Sequence, residues 1–99
     1  MFNIEMVRKM NPIDLGQIVS ILVGELIEED KAFILETGEN AFVEETHLHS
    51  GMALRNGLRL WDKRGVIPTW FRETLKIKHP DEMSGVITRE VWRKVRGLG

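Results

Sequence analysis

Cysteine is absent from the 99 residues. That excludes a disulfide framework, a thiolate zinc site and a cysteine nucleophile, and it suits a reducing compartment. No apolar run is long enough to span a membrane: the most apolar stretch, Ile18 to Ile27, is short and carries Glu25. The opening residues, Met1-Phe2-Asn3-Ile4-Glu5, lack the basic region and apolar run of a leader peptide. These absences predict a cytoplasmic protein without a membrane partner. The chain also lacks a His-Glu-x-x-His pair, a glycine-rich phosphate loop and a nucleophile elbow. No catalytic residue, metal site or cofactor is therefore expected from motifs. Neither an internal repeat nor the period-two alternation of a strand is visible.

What is present is enough for one small domain over residues 1–99, with ordinary apolar content and plentiful charge. The net charge is −1 but its arrangement is lopsided: Met1 to His49 carries ten acidic and three basic residues, and Ser50 to Gly99 five acidic and eleven basic. Either the two halves attract each other, within the fold or across a homodimer, or the basic half meets an anionic partner.

Helical periodicity dominates the chain. Asn11-Pro12-Ile13-Asp14 reads as a helix start, with Asn11 capping and Pro12 in the first turn. The helix then continues through Leu15, Ile18, Val19, Leu22, Leu26 and Ile27. Gly16 and Gly24 weaken it and mark a close helix crossing. Glu28 to Thr37 reads as a second short helix, or as a kinked continuation of the first, with Gly38 as a left-handed cap. A third, from about Glu39 to Trp61, is apolar on two sides, which predicts a central helix packed by neighbours on both. Thr69 caps a short helix through Leu75. Pro80, followed by Asp81 and Glu82, starts a last helix that buries Met83, Val86, Ile87, Val91 and Val95 and ends at Gly97. The fold class predicted is all-α, a compact bundle of four to five helices.

Two segments resemble an uncharacterised bacterial domain family of roughly ninety residues. One is His47-Leu48-His49-Ser50-Gly51-Met52-Ala53-Leu54-Arg55-Asn56-Gly57-Leu58-Arg59-Leu60-Trp61; the other is Ile77-Lys78-His79-Pro80-Asp81-Glu82-Met83-Ser84. The family pattern has a histidine, a glycine, Ile-Arg-Asn and Leu-Trp. After a spacer follows Gly-Ile-x-His-Pro-Asp-Asp-Met-Ser. The resemblance covers about residues 42 to 96. It places Ala53 and Leu58 where the family favours tryptophan, and Lys76 where it has glycine.

The resemblance draws attention to His47, Arg55, Asn56, His79, Asp81 and Ser84 as a ligand-binding cluster. Three readings follow. The favoured one is a small binding or regulatory module, of the kind a phage or mobile element uses as an inhibitor. Arg55 would grip a protein partner or an anionic small ligand such as a nucleotide. The second is an enzyme in which His47 and His79 cleave phosphodiesters or, with Asp81, ligate a metal. The third is a nucleic-acid-binding module using Arg55, Arg59, Lys63, Arg64, Arg89, Arg93, Lys94 and Arg96; it is not favoured, because no named reader motif is present. Against all three stands a structural role, in which Arg55 pairs with Asp81 or Glu82 and Asn56 satisfies backbone groups before Pro80.

Overall fold

Short polar side chains decide where this chain turns helical. Asn3 Oδ1 accepts the Met6 N–H at 2.9 Å and opens α1, Ile4–Arg8. Asp14 Oδ1 accepts the Gln17 N–H at 2.8 Å and opens α2, Leu15–Gly24. The start of α2 is thus Asp14 and not Asn11 with Pro12. A carboxylate aimed at the first free N–H groups is a strong cap, and Pro12 is instead buried. Helix α3 spans Glu28–Glu36 and α4 Glu39–Thr46. Gly38 lies between them with φ −66°, extended rather than left-handed, and leads into α4.

The computed structural model, which describes residues 1–98, continues α4 through a π-helical turn, His47–Gly51, into α5, Met52–Gly57. Thr46 contributes to the wider turn. Its hydroxyl donates to the Phe42 carbonyl at 2.7 Å, which competes with the regular helical ladder at the point where it loosens. The third helix therefore exists as one rod but stops at Gly57, short of Trp61. It stops in a Schellman arrangement: Leu60 N–H donates to Arg55 O at 2.9 Å and Arg59 N–H to Asn56 O at 3.3 Å. That motif needs a left-handed residue, and Arg59 supplies it at φ 53°.

Helix α6, Val66–Trp70, runs into a second π turn, Phe71–Leu75, closed by Lys76 at φ 60°. The last helix, α7, spans Pro80–Val95 with Pro80 in its first turn, as the sequence predicts. Among the described residues there is no strand, so the protein is all-α. No helix among them is long and apolar enough to cross a membrane.

The core is one cluster in which Ile18, Leu22, Ile34, Phe42, Leu54, Phe71, Ile87 and Val91 are fully buried. Helix α7 lies against α2, α3, α4 and α5, and the α4–α5 rod is held between α7 on one side and α1 on the other. The two-sided apolar pattern of the third helix has this cause. The close helix crossing is not at Gly16 or Gly24, where an added Cβ meets no other helix. It is at Gly57, where a Cβ would sit 2.5 Å from Val7 Cγ1. Gly57 is what lets α1 lie on α5.

Candidate functional site

The six residues singled out by sequence separate into two places. Five of them meet where the π turn, α5 and the start of α7 converge. Arg55 is the hub, with its side chain 15% exposed. Its Nη1 donates to Ser84 Oγ at 3.0 Å, its Nη2 to the His47 carbonyl at 3.3 Å, and its Nε lies 3.4 Å from Asp81 Oδ1. Ser84 Oγ in turn donates to the Asp81 carbonyl at 3.1 Å. His79, the residue before Pro80, accepts the Asp81 N–H on Nδ1 at 3.3 Å and so caps α7. Gly51 leaves the room this needs, since a Cβ there would be 2.9 Å from Arg55 Nη1.

Each Arg55 nitrogen already has a partner, and Ser84 is buried. The guanidinium joins three separate backbone elements, so most of its hydrogen-bonding capacity is spent inside the protein. His47 contributes a carbonyl rather than its ring. Among the described residues no group of three or more carboxylates and imidazoles is placed to hold a metal ion.

Asn56 is elsewhere. One residue further along the rod, it points toward α1 and is exposed. With Arg8, Gly57, Arg59 and Trp61 it lines a surface cavity of about 520 Å³. Arg59 lies over the Trp61 ring at 5.2 Å, and the indole remains 57% exposed. Arg59 Nη2 is 3.7 Å from Asp62 Oδ2, a long contact from an exposed arginine, and Arg8 makes no ion pair among the described residues. In the sequence Arg59 reads as part of a general basic face and Trp61 as the end of the third helix. That reading does not anticipate α1, which brings Arg8 to the same cavity. Asn3 ahead of Ile4 and Val7 was the available signal.

The basic face of α7 is mostly consumed. Arg89 Nη1 donates to Glu39 Oε1 at 2.6 Å and Arg93 Nε to the same oxygen at 3.2 Å. The Arg89 hydrogen bond, with the positive charge of both arginines, holds the Glu39 carboxyl below its ordinary value despite some desolvation. Arg96 stacks on Trp92 at 4.4 Å and donates to the Leu35 carbonyl at 2.7 Å, closing the C-terminus of α3, whose last turn has no basic residue of its own. Trp92 Nε1 donates to Thr37 O at 2.8 Å. The acidic first half and basic second half of the chain thus meet directly at Glu39.

Residues 11–95 match a family model described as a domain of unknown function (DUF6794), a longer reach than the 42–96 segment carrying the sequence resemblance. No curated protein and no solved structure matches the chain significantly.

Proposed function

We propose that this chain, which belongs to the DUF6794 family, is a binding module for a small anionic ligand carrying a planar ring, with a nucleotide as the model compound. The observation that carries the reading is the meeting of Arg8, Asn56, Arg59 and the exposed Trp61 around one open cavity. Each supplies a distinct part of such recognition. The free area of the indole offers a stacking surface, worth about 1–3 kcal/mol per base in known cases. Two guanidiniums offer charge-assisted hydrogen bonds to phosphate oxygens. The Asn56 amide adds a donor and an acceptor. A cavity of about 520 Å³ is of the size that holds such a ligand.

The backbone supports the same reading. A left-handed arginine costs about 1–2 kcal/mol relative to its relaxed state, and glycine would fill the C′ position of this Schellman turn without that cost. The cost is intelligible if the side chain is needed where the turn sends it, beside Trp61. The Arg55 cluster is then the scaffold that fixes the rod carrying Asn56 and Arg59.

Tryptophan fluorescence titrated with ATP, ADP and inorganic pyrophosphate tests the proposal. Saturable quenching by the nucleotides that weakens with salt, and that is lost in Arg59→Ala, is the expected result. No response to any of the three, or an unchanged response in Arg59→Ala, would remove it.

A further inference from the structure

Beyond ligand binding, the outer face of the α4–α5 rod has a charge order that fits a second copy of itself. Glu44, Glu45, Leu48, His49, Met52 and Asn56 are all exposed along the rod, and the exposed Arg59 follows just past its end, so the order runs from acidic through apolar to basic. Leu48 is 66% and Met52 50% exposed. They are not isolated. Together with Phe2, Ile4 and His49 they line a mainly apolar trough of about 580 Å³ between the N-terminal segment and the rod. Asn56 also lines it and so stands between the trough and the cavity of Arg8, Arg59 and Trp61. Glu44 and Glu45 have no ion pair among the described residues.

A two-fold interface sets residue i against residue j and, at the same time, j against i. The charges of a face that meets itself this way attract rather than repel when they are antisymmetric about the centre. Here Glu45 lies as far before Met52 as Arg59 lies after it, and Leu48 as far before it as Asn56 after. We propose that two copies associate with their α4–α5 rods antiparallel and Met52 near the axis. Leu48 of each copy enters the other's trough, and Glu44 and Glu45 of each lie over Arg8 and Arg59 of the other. Exposed apolar groups supply the attraction, while the charges fix the antiparallel direction and exclude the parallel one. Anionic ligand and second copy share Arg8 and Arg59, so each weakens the other.

Sedimentation velocity over a concentration series of the full chain, without added anion, tests the inference. The wild type should show a monomer–dimer equilibrium that salt shifts toward monomer. Glu44→Arg/Glu45→Arg has basic groups at both ends of the face, and Arg8→Glu/Arg59→Glu acidic groups at both ends, so each should be monomeric alone. Mixed in equal amounts they should form a heterodimer. Leu48→Glu/Met52→Glu should be monomeric and not rescued by either. These side chains are exposed, and circular dichroism should report unchanged folding. A wild type that stays monomeric throughout, or a dimer that survives in Leu48→Glu/Met52→Glu or Glu44→Arg/Glu45→Arg, would overturn the inference. The Glu44→Arg/Glu45→Arg variant keeps the whole ligand cavity, so its nucleotide titration reports on the proposed function independently of the dimer.

Discussion

Arg55 and Arg59 stand one helical turn apart on the same stretch of chain, and their surroundings are opposite. Arg55 sits in regular helix, mostly buried, tied to Ser84, the His47 carbonyl and Asp81. Arg59 sits just past the helix end in a left-handed conformation, exposed, with an open cavity beside it. The first arrangement maximises internal hydrogen bonds and leaves little for a visitor. The second leaves donors unspent at the expense of backbone strain. On the function proposed above, one arginine belongs to stability and the other to recognition.

The largest expected effect that tests this division is on stability. Arg55→Ala removes two hydrogen bonds and an ion pair and leaves the buried Ser84 hydroxyl without its Arg55 partner. The expected cost is about 2–3 kcal/mol, a fall in Tm of roughly 10–20 °C for a domain this size. Arg59→Ala should change Tm little, since its contacts are exposed. Equal losses in a thermal melt would erase the distinction.

Glycine substitutions sharpen it next. Gly57→Ala pushes a Cβ against Val7, so α1 must move, and we expect a loss of about 2 kcal/mol or more. Gly51→Ala meets the tip of the Arg55 side chain, which can yield in part, and should cost about 1 kcal/mol. Only Gly57→Ala should also weaken nucleotide binding, because only it displaces Arg8.

The third effect has the opposite sign. Arg59→Gly and Lys76→Gly each relieve a left-handed residue and should stabilise by about 0.5–1 kcal/mol, as read by urea midpoints. Arg59→Gly should nevertheless lose binding by about 10–100-fold, the worth of a charge-assisted hydrogen bond, while Lys76→Gly binds normally. The smallest effect concerns pH. The Glu39 carboxyl is held below its ordinary value in the fold, so its contribution is complete above that value. It is lost as pH falls below 4.5 toward the lowered one. Glu39→Gln should flatten the acid side of the stability profile, with little consequence for the ligand cavity.

Much of the fold was legible in the sequence because its signals are local. Pro80 with two acids behind it opens α7, and the two-sided apolar pattern read over residues 39–61 put the rod between two neighbours. The boundaries that misled were those where several polar residues compete. Asp14 took the cap from Asn11, and Gly38 followed an extended Thr37 rather than turning left-handed. The place where Arg55 meets Asp81 and Ser84 was anticipated from two motifs, and its pairing with Asp81 was the structural alternative set beside the functional readings; the contacts to Ser84 Oγ and the His47 carbonyl were not, because they depend on the space left at Gly51. Asn56 parted from Arg55 for the simplest helical reason: adjacent residues point about 100° apart. Arg8 joined Asn56 and Arg59 only through the packing of Val7 on Gly57, a contact between distant segments that no local pattern announces.

The most direct test is an ATP titration, followed by tryptophan fluorescence, of the wild type, Arg55→Lys and Arg59→Gly at a temperature where all three are folded. The account predicts that wild type and Arg55→Lys bind alike, although the latter is less stable, and that the more stable Arg59→Gly binds about 10–100-fold more weakly. Binding retained in Arg59→Gly and lost in Arg55→Lys would contradict it and return the site to the start of α7.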